Sequence, residues 1–383
     1  MSKIARLGVD TSKGSFELHG VDAKEQVVLR KTLRRKQLLA FLVTLEVDEI
    51  GLEACGASHH WARELQHLGH RVVLVPAQYV KSYVPRGKND KNDARAICTA
   101  MSQPWVRERL VPVKSLEQSA GQMLLGVRES LIKRRTQLTN SIRGHAAEFG
   151  LVAAKGLDKI EPLLVRIADD ESLPALAREM FATLGEDYGE LVRRIARIDK
   201  RLLAFQRDNE MARRLLEVPT IGPIGACLWV TKVVDPQAFR CGRNCAAWLG
   251  LTPKDHSTAG KQRLGAITRA GDESLRATLV AGATAYLRHV RSGRITPSPW
   301  LAGLLQRKPP KLVAVALANK TARIAWKLMT SGERYDPEHR LARTSAGPTS
   351  AGPPDRDRRL KSSARPRSWR TEGQACSSKH EVV

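Results

Sequence analysis

Apolar and polar positions follow three successive rhythms along this chain. Up to about residue 112 the rhythm is that of short strands and helices. Ile4–Asp10 is an apolar run that ends in an acid, and Thr11–Ser15 is turn-like. Phe16–Val21 alternates as a second strand, and Gln26–Leu33 gives a third. Residues 35–46 have helical spacing. Glu49–Glu53 is a short strand that again ends in an acid, and helix signals run from Ser58 to Leu68. Arg71–Val75 is an apolar strand bounded by Pro76. The stretch Lys88–Ile97 then opens a helix, with Asp90 as a cap and Ala94, Ala96 and Ile97 carrying it on. Three strands, helix, strand, helix, strand, helix is the order of an α/β domain, placed at 1–112.

The second rhythm is helical. From Ser115 to about Ala147, Leu124, Leu131 and Leu138 recur at seven-residue steps. Gly150–Pro174 breaks the pattern. Leu184, Tyr188, Leu191, Ile195, Ile198, Leu202 and Phe205 then alternate steps of four and three, a coiled-coil seam. Two long helices joined by a break predict an antiparallel arm over 113–212, packed on itself or on a second subunit. Arg193, Arg194, Arg197, Lys200 and Arg201 make it basic.

The third segment, 213–330, reads as mainly helical. Leu216–Ala226 separates two helices and is similar to the turn of helix-hairpin-helix modules, which offers backbone N–H groups to phosphate. Thr220 stands where that motif more often has glycine. Asp255–Gly265 is polar, small and flanked by glycine, and reads as a loop. Beyond about Arg340, Ser, Pro, Gly and Arg dominate without apolar period, so 340–383 is expected to be a disordered basic tail.

Composition narrows the function. The 383 residues carry a net charge of +25, far more than solubility needs, which points to a polyanionic partner. No run of 18 apolar residues and no charged-then-apolar leader occur, so neither membrane span nor signal peptide is expected. The six cysteines form no CxxC pair; Cys241 and Cys245 are a weak zinc signal, and buried thiols in a reducing cytoplasm are the expectation. Gly260-Lys261 lacks the surroundings of a Walker A loop, so ATP is not implied.

The chemistry concentrates in acids. Asp90 and Asp93 are three apart and share one helix face. They read either as a cap plus a first-turn acid or as paired ligands whose repulsion a cation relieves. Asp10 and Glu53 favour the second reading, because each ends a strand. A sheet that pairs the first and fourth strands would converge them. Hard oxygen donors of this kind suit Mg²⁺ or Mn²⁺, and two such ions about 4 Å apart clamp the attacking and leaving oxygens of a phosphodiester. Around them Lys81, Arg86, Lys88, Lys91 and Arg95, with Tyr79 and Tyr83, suit phosphate contact and base stacking. His59 and His60 read as helix-start residues. In the polar loop, Ser257 and Thr258 are hydroxyls beside His256, Lys261 and Arg263, a weak nucleophile signal by themselves.

These motifs, taken in order, resemble a known family. Asp10-Thr11-Ser12-Lys13, Glu53-Ala54-Cys55-Gly56 and Lys88–Ala94 look like the signature of the DEDD transposases of bacterial insertion sequences. That family, the IS one-ten group with its eleven-eleven branch, includes the pilin-gene invertases. Leu251-Thr252-Pro253, His256–Lys261, Ile267–Asp272, Leu275-Arg276 and Ala314–Trp326 resemble its C-terminal domain. Ala259 departs from a glycine often found there. The resemblance covers about residues 4–330. It implies a ribonuclease-H-like (RuvC-like) N-terminal domain with Asp10, Glu53, Asp90 and Asp93 as metal ligands. It implies Ser257 as a nucleophile that joins covalently to DNA, and a structured guide RNA (bridge RNA) encoded by the element. Lys261, Arg263 and Arg269 are then expected to contact nucleic acid.

The expected function is thus RNA-guided DNA recombination by an insertion-sequence transposase acting on donor and target DNA. A homo-oligomer is expected, a dimer that becomes a tetramer in synapsis. One rival is a metal-dependent junction-resolving nuclease without covalent intermediate. The other is a nucleic-acid-binding protein whose acids are structural caps.

Overall fold

The computed structural model describes residues 3–85, 90–258 and 260–337, and of Asp90 and Lys91 the backbone alone. Arg86, Lys88 and the tail 340–383 therefore lie outside the described residues. No helix among them is long and apolar enough to cross a membrane. Met1–Tyr335 forms one compact unit.

β1 (Ile4–Thr11), β2 (Ser15–Val21) and β3 (Val27–Arg34) form an antiparallel meander. α1 (Leu38–Val43) returns the chain to β4 (Val47–Ala54), and α2 (Ser58–His67) leads to β5 (Val72–Pro76). β4 and β5 add in parallel on the other side of β1, giving the order β3-β2-β1-β4-β5. The element order read from the sequence is the observed one, with ends shifted by a few residues.

The two faces of this sheet are covered differently. Leu7, Val9, Ile50 and Leu52 point to one face and pack with Phe16, Leu38, Leu42, Trp61 and Leu65 from β2, α1 and α2. The residues between them, Gly8 and Gly51, point the other way and lie side by side in the β1–β4 register. After α3 (Ala77–Val80), α4 (Asp90–Ser102) lies across these two glycines. A Cβ on Gly8 would stand 2.2 Å from the Ala94 carbonyl, and one on Gly51 would stand 2.6 Å from the Met101 sulfur. At Gly8 backbone meets backbone, and no side chain fits between; at Gly51 the Met101 side chain occupies the space. α5 (Pro104–Arg107) fastens the end of this run: Arg107 makes two hydrogen bonds to the buried Glu49 carboxylate at 2.7 and 3.0 Å.

Val111 bonds back to Leu74 before α6 (Leu116–Glu148), which Ser115 and Gln118 cap reciprocally. α7 (Ile160–Asp169) and α8 (Ala175–Asp208) follow. α6 and α8 run antiparallel: Phe149 meets Phe181 at one end, Arg128 bonds Asp199 midway, and Gly121 lies under Phe205 at the other. Tyr188, Ile195 and Leu202, seven apart, are the buried residues of the seam. α9 (Glu210–Leu215), α10 (Pro223–Lys232), α11 (Gly242–Trp248), α12 (Glu273–Arg291), α13 (Pro299–Arg307) and α14 (Pro310–Ser331) build the C-terminal core. α10 is buried nearly all round, so it is the core helix of this half.

Asp255–Gly265 is not the plain loop expected. β6 (Pro253–Asp255) and β7 (Leu264–Ile267) pair antiparallel, and Thr258 bridges Lys261 near the tip. β7 is too short and too exposed to show an alternating pattern, and backbone pairing alone defines it.

The seat of α4 is directly testable. Gly8→Ala is expected to lower unfolding stability by about 2–3 kcal/mol, as overpacking against backbone does. Gly14→Ala, with open space around it, is expected to stay within about 0.5 kcal/mol. Urea denaturation of both variants checks this.

Candidate active site

The acids assemble from the sheet upward. Asp10 and Glu53 follow Gly8 and Gly51 by two residues, so their side chains leave the same face of adjacent strands. That face is the one α4 covers. The strand ends also touch beyond the acids, where Thr11 Oγ1 lies 3.8 Å from Cys55 Sγ. Asp93 sits in the first turn of α4, one residue before the Ala94 carbonyl that rests on Gly8. Glu53 registers this crowding. Burial pushes its carboxyl above the usual range, the negative charge of Asp93 adds to the shift, and Lys81 opposes it.

Asp10, Glu53 and Asp93 thus lie on one face at one end of the sheet, with Glu53 near enough to Asp93 to feel its charge. The side chain of Asp90, the fourth, lies outside the described residues. Among those residues no three of His, Cys, Asp and Glu lie close enough together to hold an ion. A further acid went unread in the sequence: Glu17 stands opposite Asp10 in the β1–β2 register and accepts a hydrogen bond from Thr32 at 2.9 Å. Its alternation with Phe16 and Leu18 made it look like an ordinary outward position.

Around the acids, Lys81 and Arg95 are exposed. Arg86, Lys88 and the side chain of Lys91 lie outside the described residues. Tyr79 and Tyr83 are not free stacking platforms. Both are partly buried against the cluster of Val75, Val80 and Ile97, and Tyr79 packs edge-on to Trp105 at 5.0 Å. Each ring gains more by covering that small core than by standing in water.

Ser257 stands on the exposed hairpin. Its backbone N–H donates to Asp255 Oδ1 at 2.9 Å, and its Oγ accepts the Arg263 N–H at 3.0 Å. A hydrogen bond from the Ser257 side chain, with that from its N–H, holds the Asp255 carboxyl below the usual carboxylate range. The hydroxyl is therefore oriented by the Arg263 N–H, with the Asp255 carboxylate close by. The His256 ring instead lies over Gly265, 3.2 Å from where a Cβ there would be. Thr258, Lys261, Arg263 and Arg269 are exposed beside it. These contacts of Ser257 stay within its own hairpin and do not reach the acids.

The flanking motif residues hold this hairpin. Gly271, at φ 68°, comes so close to Trp248 that a Cβ would stand 1.9 Å from its carbonyl oxygen. Arg276 donates to the Leu249 and Ala270 carbonyls at 3.2 and 2.7 Å. Asp272 caps α12 through the Leu275 N–H and pairs with Lys232 at 2.8 Å. Asn319 of α14 donates to the Leu251 carbonyl at 3.2 Å. Thr220, in the turn between α9 and α10, is buried and hydrogen-bonded to Thr321 of α14. Asp255 is the functional candidate the sequence reading passed over. The signal was present, an acid two residues before the serine, but its importance depends on a turn that spacing does not reveal.

Both halves of this arrangement have counterparts in known proteins. Residues 7–149 match the DEDD family model described as a transposase, and residues 212–296 match that of the Transposase IS116/IS110/IS902 family. A putative transposase of Sinorhizobium fredii is 57% identical over 90% of this chain and 89% of its own length. The transposase for insertion sequence element IS1111A of Coxiella burnetii is 37% identical over 88% of this chain and 92% of its own. That for element IS1328 of Yersinia enterocolitica is 36% identical over 87% and 98%. Both family models and relatives matched along nearly their whole length agree, and the chain belongs to the IS110 family of DEDD insertion-sequence transposases.

Proposed function

We propose that this protein moves its insertion sequence by cutting and rejoining DNA, with the acids of the sheet and Ser257 as the two halves of one chemistry. The observation that carries the reading is the meeting of Glu53 with Asp93 on the face of the sheet from which Asp10 also leaves. Burial drives Glu53 toward protonation and the charge of Asp93 adds to it. An oxygen-only donor set under that repulsion fits a hard divalent cation. Asp10, Glu53, Asp90 and Asp93 would hold Mg²⁺ or Mn²⁺. The ion supplies polarisation of the phosphate and stabilisation of the leaving oxygen.

In this reading the Ser257 Oγ attacks the scissile phosphorus while its proton passes toward Asp255. A phosphoserine ester forms as one P–O bond of the strand breaks, and the leaving sugar oxygen takes up a proton. The ester keeps the bond energy, so strands rejoin without ATP. Ser257 lies on an exposed hairpin, so DNA binding brings it to an acid cluster of the same subunit or of a second one. A homo-oligomer, tetrameric in synapsis, supplies enough sites for two duplexes. Lys81, Arg86, Lys88, Lys91, Arg95, Lys261, Arg263 and Arg269 are assigned to donor and target DNA and to a guide RNA. The charge of +25 supports both kinds of strand. The competing reading, a junction-resolving nuclease that uses only the acids, leaves the fixed Ser257 hydroxyl without a task.

A denaturing gel of the protein with Mg²⁺, element-end DNA and element-encoded RNA tests the division of labour. A protein–DNA adduct is expected for wild type and for neither Ser257→Ala nor Asp10→Ala. It is expected to vanish when the RNA is digested first. Nicked DNA without adduct in both wild type and Ser257→Ala would establish the nuclease instead.

Asp255→Ala is expected to slow adduct formation roughly a hundred-fold, the size of a general-base contribution. Asp255→Asn keeps an acceptor for the Ser257 N–H and is expected to fall between. Rates equal to wild type in both variants would remove Asp255 from the chemistry.

The acid cluster also predicts a pH signature. Because Glu53 is raised, the folded chain binds its proton more tightly than the unfolded chain. The stability from this group is present at low pH and is lost as pH rises through the raised value. In EDTA at pH 7, Glu53→Gln is expected to melt higher than wild type, and the difference to close below the ordinary carboxylate range. Mg²⁺ is expected to stabilise wild type and not the variant. Differential scanning calorimetry across pH reads both effects.

A further inference from the structure

A cavity of about 660 Å³ opens directly beside the acid-bearing end of β4. Ala54 and Cys55, the residues that follow Glu53, form one wall, and His59, Arg63, Lys114 and Gln122 form others. It falls within the ~300–1,000 Å³ of ordinary ligand clefts. Its chemistry is one-sided. Arg63 Nη1 donates to the Lys114 carbonyl at 2.7 Å, and Lys114 Nζ donates to Gln122 Oε1 at 2.8 Å. Each cation is thus fixed by a neutral oxygen, and among the described residues neither forms an ion pair. Lys232 adds positive potential at Lys114, and its own partner carboxylate, Asp272, partly offsets it.

His59 completes the lining as a donor. Its Nδ1 accepts the Lys114 backbone N–H at 3.3 Å. Burial and the Lys114 and Arg63 charges lower it to about 4, so the ring is neutral at physiological pH and carries its proton on Nε2. Burial lowers the Lys114 ammonium too, the mark of a charge held partly out of water. Two half-enclosed cations with no carboxylate in contact gain from a ligand that brings an anion. The cavity also joins the two halves of the molecule: Gln122 on α6 donates to the Thr231 carbonyl of α10 at 2.7 Å.

We propose that this cavity is a binding site for a backbone phosphate of the DNA strand being cut, seated one or two nucleotides from the scissile bond by Lys114 and Arg63. The proposal rests on the reading of the Glu53 end of the sheet as the cutting site. It makes the pocket a register device. A phosphate locked beside Glu53 fixes which neighbouring phosphodiester reaches the carboxylates, without reading a base.

The test is equilibrium binding of the full-length Asp10→Ala protein in EDTA, so that cutting and its failure do not enter. Probes are element-end duplex DNA and, separately, the element-encoded RNA. Lys114→Gln is expected to weaken DNA binding several-fold at low salt and to reduce the log K against log[salt] slope by about one. Lys114→Arg is expected to restore both. Ser119→Asp adds a negative charge at the same lining and near the start of α6, where the helix dipole tolerates it, and is expected to weaken DNA binding likewise. Lys3→Gln, at the far end of the β1 and β4 strands from the acids, is expected to leave the slope unchanged. Phosphate ethylation interference is expected to show one modified phosphate, within two nucleotides of the cut, that blocks the Asp10→Ala protein and loses its effect in Lys114→Gln. An unchanged slope in both Lys114→Gln and Ser119→Asp, or a loss confined to the RNA probe, overturns the assignment to the DNA strand.

Discussion

The close approach of one helix to two strands sets the rest of the N-terminal half. The α4 backbone rests on Gly8, and its Met101 and Ile97 side chains fill the space over Gly51, so its first turn is delivered to the strand ends. A side chain at Gly8 would lift the helix and carry Asp93 away from Glu53. The same two positions fix the direction of the acids, because Asp10 and Glu53 leave the sheet on the glycine face two residues on. Tight packing and charge convergence therefore have one cause. The burial and repulsion it imposes, both felt in the raised Glu53 carboxyl, are tolerated because α4 is held elsewhere by Ile97, Ala100 and Met101 and by the Arg107–Glu49 bonds.

The contrast between two glutamates of β4 shows how placement separates structure from chemistry. Glu49 is buried and met by Arg107 at 2.7 Å and Arg71 at 3.1 Å, so its charge is spent inside the fold. Glu53, four residues on, meets another carboxylate and only the partial help of Lys81. A residue whose charge is satisfied by its own chain has nothing left to offer a ligand. One whose charge is opposed by its own chain has a gain to make from a cation.

Much of this was legible before any coordinates. The apolar runs that end in Asp10 and Glu53 show themselves, because a buried parallel strand must be apolar until it leaves the sheet. The seam at Tyr188, Ile195 and Leu202 is equally plain, since a long helix can hide only one stripe. What stayed hidden depends on pairing rather than on type. Gly8 and Gly51 look like weak points of a strand, and their function appears only when β1 and β4 lie in register. Tyr79 looks like a stacking platform until Trp105 is found against it. The strands of the Ser257 hairpin are three and four residues long and exposed, too short for period to speak. Asp255 gains meaning only through the turn that places it on Ser257.

The C-terminal half meets a different constraint, to hold a short exposed hairpin still. It does so by anchoring both of its ends to the helical core. Leu251, before β6, is tied to Asn319. After β7, the Gly271 backbone lies against Trp248, Arg276 spans the carbonyls of Leu249 and Ala270, and Asp272 fastens to Lys232. Lys232 is also the lysine whose field reaches Lys114 at the cavity beside Glu53. One ion pair thus stands between the segment that carries the serine and the wall of the acid site. A strand whose phosphate docks at Lys114 enters the potential of that pair, so phosphate docking and hairpin support share electrostatics although Ser257 touches neither.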